Sequence, residues 1–196
     1  MSKLELLTQN LWQNYTARNP EAQKIQDLFT GLGEQVHNDH IAMRTFNRGP
    51  FSNKAMVSFF EDYDYKVSGD YFFATKKLDA VHLENEDPLQ PKIFLSELKV
   101  EDFSQSLQDT VDQLISEVSQ LSFTDILGKP RPWSASFAKY QELKEESEYC
   151  AWLYAHGLQV NHFTVFVNAL KTFQDLPALN TWLPVSYTHL TLPTKA

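Results

Sequence analysis

The sequence is poor in cysteine, in long apolar runs and in positive charge, and each shortage excludes a class of protein. Its single cysteine, Cys150, cannot form an internal disulfide, so a disulfide-stapled scaffold is excluded. No segment reaches the roughly 20 apolar residues that cross a bilayer. With 17 Lys and Arg against 25 Asp and Glu, the net charge of −8 disfavours nucleic acid and anionic membranes as partners. A small-molecule ligand is therefore the better expectation.

The N-terminal stretch MSKLELLTQNLWQ lacks the positive start and apolar run of a secretory signal, so we expect a cytoplasmic protein. The chain has 196 residues, of which 42% are hydrophobic and 13% aromatic. This composition can fill the core of one sizeable domain, and the length is too short for two ordinary ones. We expect Cys150 to be a buried packing residue, because no basic neighbour in the sequence would activate it.

Apolar periodicity predicts helices at the start of the chain and strands after them. Helical spacing predicts two helices within 3–31 and a short helix over Asn53–Asp62. Strand-like patterns follow a different period, with alternating or densely apolar residues and turn residues between them. They fall at 40–46 (HIAMRTF), Tyr65–Ser68, Leu78–Leu83 and Ile93–Val100.

The second half of the sequence begins with helices and then repeats the strand pattern. Two longer helices are predicted over 102–121 and 134–156, separated by the breaker Gly128–Pro132. A further strand follows within 158–170, and helical spacing then continues to Leu183.

Two segments of the sequence resemble each other in chemistry as well as in predicted structure. Both NDHIAMRTF and VNHFTVFVN place Asn or Asp before a histidine and continue with a mostly apolar strand. If each segment opens a strand-helix-strand-strand-strand unit, the two units pair around one open site, with His40 and His162 facing each other. The predicted fold class is therefore α+β, built from paired βαβββ units with added N-terminal and central helices. The second unit is incomplete, and we expect an open sheet edge near Gln159–Val167.

The end of the sequence differs in character from the rest. Residues 185–194, VSYTHLTLPT, resemble the translation of a common sequencing-library adapter. We therefore expect a single domain over 1–183 that is incomplete at its C-terminus, and an adapter-derived tail over 184–196. His189 lies in that tail and is excluded from the candidate site.

His40, His162 and Arg44 are the candidate site residues. Two neutral imidazoles suit borderline divalent metals, and with one carboxylate they form the facial triad of non-haem iron oxygenases. Arg44 is four positions after His40, and this even spacing on a strand places both side chains on one face. A guanidinium beside a metal suits a 2-oxo acid, because the metal takes the oxo and carboxylate oxygens while arginine binds a carboxylate through two hydrogen bonds.

Other chemically active residues have simpler interpretations. Glu97 is a carboxylate within an apolar strand and needs a cation, a metal or hydrogen bonds, so it is a weaker ligand candidate. His37 is expected at the surface or beside a ligand, and His82 and His156 are expected to be structural. The pair Lys76–Lys77 could approach an acidic substrate, although a solvated turn is the more economical interpretation.

Six segments together resemble the 2-oxoadipate dioxygenase/decarboxylase family, which is related to the vicinal oxygen chelate superfamily. The resemblance covers about residues 1–183. Its carriers are HIAMRTF (40–46), KKLDAVH (76–82), IFLSELKV (93–100), Pro132–Trp133, SEYCAWLYAHG (147–157) and VNHFTVFVN (160–168).

The resemblance implies a vicinal oxygen chelate-like fold with Fe(II) bound by His40 and His162, and substrate bound by Arg44 with both histidines nearby. It implies conversion of 2-oxoadipate and O2 to 2-hydroxyglutarate and CO2. It also implies a glutamate ligand from a later segment, which this sequence does not contain, so we expect the chain alone to be impaired in activity. Two rivals stay open: a metal-dependent hydrolase, lyase or isomerase on the same scaffold, and a non-catalytic module that binds a small acid. The oligomeric state is not predicted.

Overall fold

A mixed β-sheet forms the centre of the computed structural model, which describes residues 2–173 and 175–186. Within these residues the sheet has five strands in the order β2-β3-β4-β1-β5. Strand β1 lies parallel to β4, and the other neighbouring pairs are antiparallel. The strands are β1 (Asn38–Phe46), β2 (Tyr65–Phe73), β3 (Leu78–Asn85), β4 (Lys92–Leu98) and β5 (Val160–Val165).

Helices precede, interrupt and follow the strands. Serine residues cap several of them; for example, the Ser52 hydroxyl accepts a hydrogen bond from the Ala55 N–H at the start of α3. The helices are α1 (Lys3–Thr16), α2 (Pro20–Gly31), α3 (Asn53–Glu61), α4 (Gln105–Val118), α5 (Phe123–Ile126), α6 (Phe137–Glu146), α7 (Glu148–His156) and α8 (Leu176–Ser186). No helix of the described residues is long and apolar enough to cross a membrane.

The order β1-α3-β2-β3-β4 forms the predicted first βαβββ unit, and its outer strands meet as the parallel pair β1 and β4. One face of this unit is closed by α1 and α3. Met56 and Phe60 of α3 are at most 1% exposed and pack against Ile41, Met43 and Leu95 of the sheet. Burying each of these two helical side chains stabilises the folded state by about 1.5–3 kcal/mol. Because α3 covers this face of the sheet so closely, a ligand has no room to bind there.

Strand β5 follows the helical segment and pairs antiparallel with β1, at the edge of the sheet as predicted. It is shorter than the predicted 158–170, because a 3-10 turn begins at Val167. The tail predicted over 184–196 lies largely outside the described residues. Only the backbone of 184–186 is described, and it continues α8.

Two other predicted element boundaries were also wrong. The helix predicted over 134–156 is two helices, because Ser147 has extended backbone angles (φ −152°, ψ 104°) and caps α7 by accepting a hydrogen bond from the Cys150 N–H. Strand β2 was predicted over Tyr65–Ser68 but continues to Phe73. A register shift between Val67 and Gly69 absorbs the irregularity as a β-bulge.

Candidate metal centre and substrate cavity

The sheet face opposite α3 carries the candidate site. Side chains alternate between the faces of a strand, so His40, Ala42 and Arg44 of β1 point the same way. His162 lies opposite Ala42 across the β1-β5 pair, and Thr164 lies opposite His40. Antiparallel partners share a face, so β1 and β5 present both histidines on one side.

His40 and His162 are 122 positions apart in sequence, yet their Nε2 atoms lie 3.2 Å apart. The prediction that the two histidines face each other is therefore confirmed. Two nitrogens at this separation, each about 2.1 Å from a shared ion, would subtend an angle of about 100° at that ion. This is close to the angle that adjacent ligands make in tetrahedral and octahedral sites, so the pair fits a divalent metal.

Burial lowers the pKa of His162, and the neighbouring His40 and Arg44 lower it further. A lowered pKa favours the neutral imidazole at neutral pH, which is the form that can bind a metal. Asp39 lies beside the other histidine, with its Oδ2 atom 2.7 Å from His40 Nδ1. The Thr164 hydroxyl is 3.0 Å from His40 Nε2.

Within the described residues, no group of three His, Cys, Asp and Glu side chains is arranged to hold a metal. Glu97, the weaker ligand candidate, was wrongly considered for this role. It faces the opposite side of the sheet, where its Oε2 atom accepts a 2.6 Å hydrogen bond from the Asn53 N–H at the start of α3. Burial raises the pKa of Glu97. Its need for a partner is thus met by a helix terminus and not by a metal.

Arg44 lies partly buried against two aromatic rings of α7. Its guanidinium carbon is 5.1 Å from the centre of the Tyr149 ring and 5.0 Å from that of Trp152. The two aromatic residues are three positions apart on the helix and therefore share a face. Among the described residues Arg44 has no acidic partner within salt-bridge distance. A guanidinium held in this way is available to bind a carboxylate.

Tyr149 also ties α7 to the sheet. Its hydroxyl donates to the Ser96 carbonyl, lies 2.8 Å from Ser96 Oγ and accepts from the Thr45 N–H at 3.2 Å. Burial raises the pKa of the Tyr149 hydroxyl, so it stays protonated and can donate. These bonds hold the rings in place under Arg44.

Arg44 and His162 line a cavity of about 600 Å³. The even spacing on β1 predicts that Arg44 shares a cavity with His40, but His40 is not among the residues that line this cavity and adjoins it only through its contact with His162. Phe94 contributes an apolar wall, and the predicted pair Lys76 and Lys77 also lines the cavity. Glu146 and Glu148 also belong to the lining, so three cations face two carboxylates, and the Arg44 end of the cavity beside Phe94 is the part that suits a ligand carboxylate.

The remaining candidates lie apart from the histidine pair. The His82 ring stacks on Phe94 with centroids 5.2 Å apart, and its Nδ1 atom is 3.0 Å from the Tyr71 hydroxyl. His156 is exposed at the end of α7. Cys150 is fully buried, and burial raises the pKa of its thiol to about 12, so it is the expected packing residue.

The residues that surround and orient the candidate ligands were not predicted from the sequence. Asp39, Thr164, Tyr149 and Trp152 were not singled out, although two signals were present. The Asn or Asp before each histidine was noted only as part of a repeat, and the Tyr–x–x–Trp spacing predicts one aromatic helix face.

No protein-family profile matches the chain. The curated 2-oxoadipate dioxygenase/decarboxylase of Arabidopsis thaliana chloroplasts is 31% identical over 86% of this chain and 50% of its own length. The chain is therefore similar to curated proteins named 2-oxoadipate dioxygenase/decarboxylase. It spans about half the length of the curated relatives it matches.

Solved structures agree with this relationship. The hydroxyglutarate synthase of Oryza sativa, solved in complex with 2-oxoadipate, matches with 28% identity and a TM-score of 0.80 over 92% of this chain and 64% of its own. A candidate hydrolase from Shewanella frigidimarina NCIMB 400 matches with 39% identity and a TM-score of 0.89, over 95% of this chain and 74% of its own.

A more distant structure shows the fold alone. A glyoxalase superfamily protein from Ralstonia eutropha JMP134 is 20% identical, with a TM-score of 0.66 over 79% of this chain and 59% of its own. The mixed α+β fold with its five-stranded sheet is therefore consistent with a vicinal oxygen chelate-like architecture.

Proposed function

We propose that this chain forms part of a non-haem Fe(II) dioxygenase/decarboxylase that converts 2-oxoadipate and O2 to 2-hydroxyglutarate and CO2. The observation that carries the proposal is that His40 and His162 converge on one face of the sheet. Arg44 lies on the same face and has no acidic partner among the described residues. The homologues named for this reaction support it. We also propose that β5 opens a second βαβββ unit, which would pair with the first around this face.

In this proposal, His40 and His162 hold the metal through their Nε2 atoms. Fe(II) bound there would supply a Lewis acid for the 2-oxo acid and the redox chemistry that activates O2. Arg44 would bind a substrate carboxylate through two parallel hydrogen bonds. The compact ammonium group of a lysine could not form this pair of bonds in the same geometry. Phe94 would line the carbon chain and help to exclude water.

The reaction balances without an external reductant. The O–O bond breaks: one oxygen atom joins the former C2 carbon, which keeps its oxo oxygen and becomes the new carboxylate, and the other oxygen atom enters a C–H bond of the shortened acid as the hydroxyl group. The C1–C2 bond breaks and C1 leaves as CO2. Oxygen uptake and CO2 release should therefore occur in a ratio of one to one.

The test is to measure O2 uptake, CO2 release and 2-hydroxyglutarate formation with Fe(II) and 2-oxoadipate. It should include this chain and any longer form that its gene encodes. Because only two metal-binding side chains converge in the described residues, we expect little turnover by the chain alone and full turnover when a carboxylate ligand is supplied. Full activity of the 196-residue chain would show that a third ligand lies within it.

The same experiment separates the rivals. A hydrolase, as the name of the Shewanella frigidimarina protein suggests, would release products without consuming O2. A binding module would bind 2-oxoadipate without turnover in every form of the protein. Either outcome would contradict the proposed oxygenase.

A further inference from the structure

Each of the two histidines follows a residue that does not fit the regular sheet. Along the β1-β5 pair, Asn38 lies opposite Val165 and His40 opposite Thr164, so Asp39 is an extra residue on β1. Further along, Ala42 lies opposite His162 and Met43 opposite Val160. Asn161 is therefore an extra residue on β5. Both strands thus carry a β-bulge immediately before the histidine.

The bulges have a direct geometric consequence. In a regular strand, consecutive side chains point to opposite faces, so Asp39 could not meet the ring of His40. The bulge re-aims it, and Asp39 Oδ2 lies 2.7 Å from His40 Nδ1. In the same way, Asn161 Nδ2 lies 3.3 Å from His162 Nδ1. Each imidazole is thus contacted at Nδ1 by the residue before it, and each Nε2 is directed to the shared site.

The two partners differ in chemistry. An ionised carboxylate only accepts hydrogen bonds, so Asp39 holds the proton of a neutral His40 on Nδ1 and leaves the Nε2 lone pair available. An amide can donate or accept. As placed, Asn161 donates from Nδ2 to His162 Nδ1, which puts the His162 proton on Nε2, facing His40. In that tautomer His162 cannot bind a metal through Nε2.

We propose that Asp39 and Asn161 are positioning residues with opposite effects on the metal centre, an inference that rests on the proposed metal site. Asp39 keeps His40 ready to bind. Asn161 favours the closed tautomer of His162, and its amide must turn so that Oδ1 accepts the Nδ1 proton when metal enters. Metal affinity is therefore set in part by which residue occupies each bulge.

The first test measures imidazole ¹⁵N chemical shifts in the metal-free chain at neutral pH. Neutral His40 should carry its proton on Nδ1 and His162 on Nε2. Adding Zn(II), a redox-inert probe, should move the His162 proton to Nδ1 and leave His40 unchanged. A metal-free His40 protonated on Nε2, or a His162 already protonated on Nδ1, would overturn the proposal. This measurement needs no substitution, so it does not depend on a variant that folds.

The second test titrates Zn(II) into variants. D39N should weaken binding by roughly 10- to 100-fold, the usual effect of losing a carboxylate behind a metal-bound histidine, and D39E should recover part of it. N161D should tighten Zn(II) binding and shift the proton of the metal-free His162 to Nδ1. A general effect of the added negative charge would tighten binding without moving this proton. D79N, on the opposite sheet face from the histidines, removes the same charge and should leave affinity unchanged.

The outcomes distinguish this inference from the proposed function. If H40A and H162A each abolish Zn(II) binding but D39N and N161D leave it unchanged, the positioning roles are wrong and the metal site stands. If H40A and H162A bind Zn(II) as the wild type does, the metal site itself is wrong.

Discussion

At the scale of single residues, Arg44 shows how far a simple rule of strand geometry can reach. Its position on the face of His40 follows from the even spacing of the two residues along one strand. Its support by Tyr149 and Trp152 could not be predicted, because these rings come from a helix more than 100 positions away. Sequence alone identifies the charge but not what holds it in place.

For Arg44→Ala we expect 2-oxoadipate to bind roughly 10- to 100-fold more weakly, since a charge-assisted hydrogen-bonded pair contributes about 1.5–3 kcal/mol. Metal binding should change far less. Calorimetric titration of the metal-loaded, full-length protein measures both. Arg48→Ala is a matched control, because Arg48 pairs with Asp112 at 2.9 Å. Equal loss of metal and substrate binding would instead give Arg44 a structural role.

Glu97 gives the opposite lesson at the same scale. A carboxylate in an apolar strand indicates a partner, but the sequence does not say which face of the sheet that partner occupies. The partner is the backbone N–H of Asn53 at the start of α3. Binding a metal and accepting a hydrogen bond from a helix terminus both require a carboxylate. Only the register of β4, which sets the sheet face on which Glu97 lies, distinguishes the two.

For Glu97→Gln we expect stability equal to or greater than that of the wild type at pH 8. Burial raises the pKa of Glu97, so the folded state favours the protonated carboxyl. The contribution of the protonated Glu97 carboxyl to the free energy of unfolding is complete below the ordinary pKa of glutamate. It is lost as the pH rises through the raised pKa of the folded state. Urea unfolding at pH 8 and at pH 4 should show any advantage of the neutral glutamine at pH 8 only. A large loss at pH 8 would contradict this account.

At the scale of elements, the helices and strands follow from periodicity, and the errors lie where a local hydrogen bond or bulge decides. Apolar spacing continues from α6 into α7, so periodicity alone joins them. The Ser147 cap separates them. Strand β2 was predicted to end at Ser68, and the structure continues it to Phe73 through a β-bulge between Val67 and Gly69.

For Ser147→Ala we expect a loss of about 1 kcal/mol in the free energy of unfolding, the typical effect of removing an N-cap hydroxyl. For a domain of this size the melting temperature should fall by roughly 2–4 °C. Differential scanning calorimetry measures this, and Ser147→Asp should restore most of the loss because aspartate also caps helices. A variant as stable as the wild type would mean that the hydroxyl is not what starts α7.

At the scale of the whole molecule, the weak internal repeat was the most informative signal in the sequence. It placed His40 and His162 in equivalent strands, and the sheet brings them together because β1 and β5 are neighbours. Composition and charge predicted a small-molecule ligand but could not locate its cavity. The cavity depends on α7 packing over the sheet, a contact between distant segments that no local pattern encodes.

The central claim is that His40 and His162 together hold one divalent metal. Anaerobic equilibrium dialysis with Fe(II) tests it in the wild type, H40A, H162A and the double variant, with H156A as an imidazole control at an exposed helix end. The account predicts up to one Fe(II) per wild-type chain, the same in H156A, loss of binding in each single variant at His40 or His162, and no further loss in the double variant. Fe(II) binding that survives removal of either histidine would contradict it.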